Sequence, residues 1–342
     1  MGESIYLAGF GVSLRVKKNS FLIFADGNKD TISASKVQKI VFLGSGKGVS
    51  IDAIRLAIKY RIPVFFAYSN GYPYAMLFPV VAVGTVKTRR AQYEAYNCDI
   101  GVELVLGILK GKLRNQANLI RFFWKSRKRT APDLANRLKE NAEAIKYLIA
   151  QLESIGSDRI DSDFRRKVMN IEARAAEMHY WPSFSLLLPT GFSFEKRVKP
   201  NAKDPVNALL NLGYGLLFME VVKEVIYGGL DPYAGFLHAD RSGRESLVLD
   251  LMEEFRQWCV DRLIIKLLSI RKLRPEEIMD GPKIRREIVG MFCKEFEDMM
   301  GSVFVNTYGE KRTMRGHISA QVLRVKRHLL EKEKYRPCIF MW

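Results

Sequence analysis

The hydrophobic pattern of this chain changes its period once, near residue 85, and this change constrains the fold more than any other feature. Before it, short β-rich runs recur, which is typical of strands. They are Ile5–Ala8, Val12–Val16, Phe21–Phe24, Val37–Leu43 and Pro63–Tyr68. After it, apolar residues recur every 3.6 positions, as in amphipathic helices. We therefore predict an α+β fold, with a small β-rich N-terminal domain (residues 1–84) and a larger all-α domain (residues 85–342).

Helix-start and turn signals refine this division. Asp26-Gly27-Asn28 is a turn signal, Ser50 caps a short helix Ile51–Tyr60, and Pro73 and Pro79 mark the end of the β-rich part. In the second part, Asp204-Pro205 is a strong helix start. The predicted helices lie near residues 86–98, 101–125, 132–155, 158–180, 204–227, 245–272, 282–299 and 312–332.

The charge balance indicates a polyanionic partner. The chain has 55 Lys+Arg against 37 Asp+Glu, a formal net charge of +18, and nucleic acid is the commonest partner of such a protein. Contacts from basic side chains to phosphates bind nucleic acid regardless of its base sequence. Roughly half of the basic residues are nevertheless expected to be ordinary solvated surface. The candidates are Lys87, Arg89, Arg90, Lys110, Lys112, Arg114, Lys125, Arg127, Lys128, Arg129, Arg241, Arg244, Arg285, Arg286, Arg312, Arg315, Arg324, Lys326 and Arg327.

Neither a membrane nor an oxidising compartment is predicted. The longest apolar stretches are short or interrupted by charges, and the N-terminus lacks the features of a signal peptide. The four cysteines are scattered, which gives no support for a disulfide framework or a thiolate-rich zinc site. We expect a soluble, cytoplasmic protein.

A glycine-rich segment after the fourth predicted strand resembles a phosphate-binding loop but departs from it in detail. In Gly44-Ser45-Gly46-Lys47-Gly48, the lysine is followed by glycine instead of the Ser or Thr of a P-loop. The GxGxxG pattern also fails, because residue 49 is Val. We therefore predict a turn here and no nucleotide site.

Histidine is scarce, so a histidine close to paired acids is informative. His238 precedes a predicted helix on which Asp250 and Glu253 lie three residues apart and so share a face. Neighbouring Leu and Phe residues would partly bury that face. Buried acids need a cation, which an arginine or a divalent metal would supply.

Glu172 is a third candidate acid. It lies in Asn170–Ala176, where small residues allow close helix packing and burial. A salt bridge with Arg174 or a neighbouring helix explains it as well as a metal does. One histidine with two or three carboxylates would suit Mn²⁺ or Mg²⁺. The residues alone leave both interpretations open.

Four segments in order carry a resemblance to a known family. They are the small-residue helix around Glu172, the segment Asp204–Leu217, the GFLH segment that ends at His238, and LVLDLMEEFR at Leu247–Arg256. Together with IYLAGFGVSLRVKKNSFLIF and IDAIRLAIKYRIPVFFAY in the β-rich part, they resemble the CRISPR-associated spacer-acquisition integrase, the larger of the two adaptation proteins. The resemblance covers nearly the whole chain.

This resemblance implies a metal-dependent site. The implied ligands of Mg²⁺ or Mn²⁺ are Glu172, His238 and Glu253. Asp250 would support the metal from behind its ligands, and Glu254 would be the ligand if the pattern shifted by one residue. The implied DNA-binding residues are Arg256, where a cation would hold a phosphate, together with Arg244 and Arg241. Asn207 and Tyr214 also match the family pattern, but packing explains them equally well.

The resemblance also implies an activity and partners. The protein would be a metal-dependent DNA endonuclease and integrase that inserts short DNA fragments into a CRISPR array, by attack of a 3′-hydroxyl on repeat DNA. It would bind duplex and branched DNA, form a homodimer through its β-rich domain, and bind the smaller adaptation protein. The alternatives are a non-enzymatic basic DNA-binding protein and a metal-dependent RNA nuclease.

Overall fold

The computed structural model describes residues 2–78, 85–199, 202–239, 241–271 and 273–341. Strands predominate up to residue 77 and helices from residue 85, which confirms the predicted β-rich part followed by a helical part. The predicted boundary between residues 84 and 85 adjoins the segment 79–84. That segment, which includes Pro79, lies outside the described residues.

Two four-stranded sheets and one helix form the described N-terminal part. They are β1 (Glu3–Ala8), β2 (Ser13–Lys17), β3 (Ser20–Ala25), β4 (Asn28–Ser33), β5 (Val37–Leu43), β6 (Gly48–Val49), α1 (Ile51–Lys59), β7 (Val64–Ala67) and β8 (Pro73–Leu77). One sheet has the order β4-β3-β2-β6 and the other β1-β5-β7-β8. In the second sheet β1, β5 and β7 are parallel. The last strand, β8, begins at Pro73 and was not predicted from the sequence; proline is tolerated as the first residue of an outer strand.

Strand β5 lies between two hydrophobic cores. Its alternate side chains point to opposite faces of the sheet. Ile40 and Phe42 belong to the core between the two sheets, whereas Val41 and Leu43 belong to the larger core of the helical part. The second sheet therefore joins the two parts of the molecule.

The described part of the chain after residue 84 is mainly helical. Its helices are α2 (Thr85–Ala95), α3 (Asp99–Arg127), α4 (Pro132–Glu153), α5 (Ser162–Arg174), α6 (Trp181–Leu186), α7 (Pro205–Tyr227), α8 (Ser246–Met252), α9 (Arg262–Arg271), α10 (Pro275–Ile278), α11 (Arg286–Gly301) and α12 (Met314–Glu331). Two short hairpins interrupt them, β9 (Met279–Asp280) with β10 (Lys283–Ile284) and β11 (Val303–Val305) with β12 (Lys311–Thr313). The prediction of an all-α second domain was therefore incomplete.

Helix α7 runs through the core of the helical part. Asp204 caps it by accepting a hydrogen bond from the backbone N–H of Asn207 at 2.8 Å, and Pro205 occupies its first turn, as predicted. Most of its residues are buried. Despite this apolar composition, no helix in the described ranges is long and apolar enough to cross a membrane.

The helices predicted at 158–180 and 245–272 are not continuous α-helices. The first begins at Ser162 and ends in a π-helical turn, Ala175–Tyr180. The second is broken by a turn at residues 253–255 and a π-helical turn, Gln257–Asp261. The apolar pattern alone does not reveal these breaks. π-Helical turns are rare and frequent at functional sites.

A buried group of ion pairs, here called the interface cluster, connects the second sheet to the helices. It consists of Lys39 on β5, Glu220 on α7, Glu297 on α11 and Arg315 on α12. Lys39 Nζ lies 2.5 Å from Glu220 Oε1 and 2.7 Å from Glu297 Oε1. Arg315 approaches the other oxygen of each glutamate, at 3.1 Å and 2.8 Å. The cluster therefore connects a residue of the β-rich part with three residues of the helical part.

Candidate active site

A cavity of about 180 Å³ in the helical part brings together four of the residues predicted for the metal and DNA-binding site. Glu172, His238, Glu253 and Arg256 all line it. Glu172 comes from the end of α5, and Glu253 and Arg256 come from the break after α8. The other lining residues are Lys112, Gln116, Ala176, Tyr180, Trp181, Arg197, Lys199, Tyr214, Gln257 and Asp261. Both π-helical turns thus contribute to its wall.

The two glutamates share one cation, the ammonium group of Lys112 on α3. It donates a hydrogen bond to Glu172 Oε1, and it lies 2.7 Å from Glu253 Oε2. Burial tends to raise the pKa of Glu253, but the positive charges of Arg256 and Lys112 outweigh it and hold that pKa well below its usual range. Glu253 is therefore an ionised carboxylate in a nearly buried position.

Asp250 anchors the loop that carries His238. Its fully buried carboxylate accepts backbone hydrogen bonds from Phe236 and Leu237 on Oδ2, at 2.6 and 3.0 Å, and from His238 on Oδ1, at 2.9 Å. His238 Nδ1 lies 2.6 Å from the same Oδ1. This contact fixes the orientation of the imidazole ring and directs Nε2, the other nitrogen, away from Asp250.

Three cations gather around the ring of Tyr214 on α7. The guanidinium carbons of Arg256 and Arg197 lie 4.9 and 5.2 Å from its centroid, and Lys199 Nζ lies 6.0 Å away. Repulsion from Arg256, together with burial, lowers the pKa of Lys199 to about 7. With Lys112, four basic side chains line the cavity against three acids, Glu172, Glu253 and Asp261, so the site can accept the negative charge of a phosphate.

Asp261 holds the tyrosines beneath these cations. It accepts hydrogen bonds from the hydroxyl of Tyr180 and, at 2.6 Å, from that of Tyr214. Complete burial raises the pKa of Asp261 to about 6. The two hydroxyls come from different helices, so Asp261 joins α7 to the π-helical turn at Ala175–Tyr180.

The remaining predicted residues lie outside the cavity lining. Glu254 is fully buried and faces the C-terminal tail, where it accepts a hydrogen bond from Tyr335. Burial raises the pKa of Glu254 to about 8. Arg241 is exposed and Arg244 half-buried, both in the segment between His238 and α8.

Sequence reasoning missed the site roles of Arg197, Lys199 and Asp261. It named Lys112 as a candidate phosphate contact, whereas the structure places it between Glu172 and Glu253. Lys112 had a detectable signal, because it occupies an apolar-face position of α3, one turn after Ile108 and one before Gln116. A charged side chain at such a position is costly unless it is paired. Arg197 and Lys199 lie in an irregular segment, where no periodicity exists to mark an unusual residue.

The donor set fits a Mg²⁺ or Mn²⁺ ion. Two carboxylates and an imidazole are suitable ligands, and the buried Oε2 of Glu253 accepts no hydrogen bond of good geometry despite its contact with Lys112. As these side chains stand, no three acidic, histidine or cysteine residues in the described ranges are placed to hold a metal ion. The cation between Glu172 and Glu253 is the Lys112 ammonium.

The fold of this chain, a β-rich part followed by a helical part, is that of a known protein family. The family described as CRISPR associated protein Cas1 matches residues 5–296. The chain is 38% identical over 276 residues to a CRISPR-associated endonuclease Cas1 of Archaeoglobus fulgidus, covering 79% of each chain. The chain belongs to the Cas1 family, which confirms the resemblance inferred from its sequence motifs.

Solved structures share the fold. A casposase bound to integration product superposes with a TM-score of 0.82 at 22% identity, covering 98% of this chain and 93% of that chain. A Cas6-RT-Cas1–Cas2 complex gives a TM-score of 0.77 at 18% identity and covers 98% of this chain. This chain spans only 36% of the length of that larger chain.

Proposed function

We propose that the protein is a divalent-metal-dependent DNA integrase and endonuclease that inserts short DNA fragments into a CRISPR array. The observation that carries this proposal is the convergence of Glu172, His238 and Glu253 on one cavity that four basic side chains also line. Membership of the Cas1 family supports the substrate class. Bound Mg²⁺ or Mn²⁺ would polarise the scissile phosphate and stabilise the attacking and leaving oxygens.

The residues of the chain would position the DNA around this centre. Arg256 and Arg197 would hold non-bridging phosphate oxygens, because both are fixed over the ring of Tyr214. The 3′-hydroxyl of a short fragment would attack a phosphorus of the repeat strand. One P–O bond forms as the bond to the old 3′ oxygen breaks, and that oxygen leaves with a proton as a new 3′-hydroxyl. Water in place of the fragment would give cleavage.

A neighbouring cavity supports a path for an unpaired DNA strand. It has a volume of about 380 Å³ and shares Arg197, Lys199, Tyr214 and Arg256 with the site. Its other lining residues include the aromatic side chains of Tyr68, Tyr72 and Phe218. Stacking of bases on aromatic rings beside basic residues is the usual way of binding single strands without sequence preference.

We further propose the partners of this enzyme. The casposase structure contains an integration product and the larger assembly contains Cas2, which supports duplex and branched DNA and the smaller adaptation protein as partners of this chain. A homodimer formed through the β-rich domain and a cytoplasmic location stay predictions from the sequence.

The proposal is tested by strand joining on a branched DNA with a free 3′-hydroxyl, with Mn²⁺ or with EDTA. We expect joining and cleavage only with Mn²⁺, and their loss in His238→Ala. His179→Ala is the matched control, because His179 is also half-buried but lies outside the cavity lining and bonds to Asn141. DNA binding without chemistry would favour the non-enzymatic alternative, and faster cleavage of RNA would favour the RNA nuclease.

A further inference from the structure

The C-terminal tail runs against the back of the active site. We infer that the tail segment Tyr335–Phe340 is a positioning element that sets the place of Glu253, an inference that rests on the proposed role of Glu253 as a metal ligand. This segment lies beyond residues 5–296, the part of the chain that matches the Cas1 family. It follows the last helix, α12, which ends at Glu331.

The tail holds the residue next to Glu253 by its side chain. The hydroxyl of Tyr335 donates to Glu254 Oε1 at 2.6 Å, and the backbone N–H of Cys338 donates to Glu254 Oε2 at 2.6 Å. Glu254 is fully buried. Consecutive glutamates therefore face opposite ways, Glu253 into the cavity and Glu254 into the tail.

Asn115 on α3 holds the backbone at the same point. Its side-chain amide donates to the carbonyl of Glu254 at 2.8 Å and to the carbonyl of Cys338 at 2.7 Å, and it accepts from the N–H of Phe340 at 2.9 Å. One fully buried amide thus joins α3, the tail and the break after α8. This break is where a continuous helix would otherwise fix the direction of Glu253.

Two glycines of α3 allow this close approach. A Cβ atom on Gly107 would lie 2.4 Å from the ring of Tyr335, and one on Gly111 would lie 3.0 Å from Glu254 Cγ. The next residue, Lys112, contacts Glu253 within the cavity. Helix α3 therefore contacts both Glu253 and Glu254, and Glu254 packs between the tail and α3.

The contacts connect the tail to the geometry of the metal site. Groups behind metal ligands set ligand orientation, and their loss typically weakens metal binding 10–100-fold. A tail that served only as core packing would contribute stability without any selective effect on metal affinity. These two roles are separable, because the chain contains a second, partly buried hydrogen bond from a tyrosine hydroxyl to a glutamate.

The experiment compares Tyr335→Phe with Tyr6→Phe. Each variant loses a hydroxyl that donates to a glutamate oxygen at 2.6 Å, Tyr335 to Glu254 and Tyr6 to Glu297 of the interface cluster. Mn²⁺ affinity is measured on the DNA-free full chain by electron paramagnetic resonance, beside the thermal unfolding midpoint. We expect Tyr335→Phe to weaken Mn²⁺ binding about tenfold, and Tyr6→Phe to leave it unchanged at a similar loss of stability.

Glu254→Gln provides a second variant that removes one acceptor oxygen while keeping the side-chain shape. It is expected to weaken Mn²⁺ binding in the same direction as Tyr335→Phe. If both folded variants bind Mn²⁺ as the wild type does, or if Tyr6→Phe weakens binding equally, the tail is only core packing and the inference is overturned. If the wild type itself binds no Mn²⁺, the proposed function fails, and this inference fails with it.

Discussion

The molecule contains two buried clusters of ion pairs that look alike in composition but differ in how completely they are paired. In the interface cluster, Lys39 and Arg315 each contact both Glu220 and Glu297. Outside the cluster, Lys223 also contacts Glu220, and Tyr6 and Ser4 donate hydrogen bonds to Glu297. In the active-site cluster, defined as Lys112, Glu172, Glu253 and Arg256, one oxygen of Glu253 accepts no well-aligned hydrogen bond, and Arg256 Nε has no partner in the described structure.

The difference in pairing indicates a difference in role. Buried polar atoms in folded proteins are normally satisfied, so each exception calls for an explanation. The interface cluster meets this rule and joins elements of both parts of the chain, as a structural junction should. The active-site cluster breaks it beside a cavity that four basic side chains line. Burial of charge is therefore common to both clusters, and incomplete pairing distinguishes the active-site cluster from the interface cluster.

The largest expected effect on stability comes from breaking the interface cluster. Glu220→Ala leaves Lys39 and Arg315 without their common carboxylate, and removing one partner of a buried pair typically costs about 3–5 kcal/mol. We expect a fall of that size in the free energy of unfolding, measured by urea denaturation. Glu143→Ala, which breaks an exposed pair with Lys146, is the control and should change stability little. A free energy of unfolding in Glu220→Ala equal to that of the wild type would contradict the structural role of the cluster.

Removing the internal cation of the active-site cluster should strengthen metal binding. In Lys112→Met, Glu172 and Glu253 lose the ammonium that lies between them, so a divalent cation no longer competes with it. We expect Mn²⁺ affinity to rise about tenfold, equivalent to about 1.4 kcal/mol, by titration calorimetry. Lys110→Met is the control on the same helix, because Lys110 pairs with the half-exposed Glu153. Weaker Mn²⁺ binding in Lys112→Met would show that the ammonium does not compete with the metal.

The ring of Tyr214 should matter more for DNA binding than its hydroxyl. Tyr214→Leu removes the surface on which Arg256 and Arg197 stack, and cation–π contacts contribute about 0.5–2 kcal/mol each. We expect DNA affinity to fall about tenfold in filter binding with EDTA present. Tyr214→Phe keeps the ring and loses only the bond to Asp261, so its DNA affinity should stay within about twofold of wild type. Equal losses in both variants would refute the stacking role.

A further expected effect is a change in pH dependence at Glu254, which belongs to neither cluster. Burial raises the pKa of Glu254 to about 8, whereas an unfolded glutamate has a pKa of about 4.3. Between these values the folded state binds the proton and the unfolded state does not, so stability falls as pH rises. In Glu254→Gln we expect a thermal unfolding midpoint that declines less between pH 6 and 8. A slope equal to that of wild type would contradict the raised pKa.

The sequence predicts the order of the two parts and most helices because each depends on a local periodic pattern. It also identifies the side chains of Glu172, His238 and Glu253, which the fold brings to one cavity although they are separated along the chain. It does not predict the break at residues 253–255. That break is held by Asn115 and by the tail around Cys338, two segments more than 80 residues away from it in the chain.

The contrast between the two clusters is tested most directly by strand joining in a matched pair of variants, Glu253→Gln and Glu220→Gln. Both replace a buried glutamate that contacts lysine and arginine. With Mn²⁺ and branched DNA, we expect Glu253→Gln to join strands about 100-fold more slowly while still folding. Glu220→Gln should lower the unfolding midpoint and keep joining activity per folded molecule. Wild-type joining by a folded Glu253→Gln would contradict the assignment of the active site.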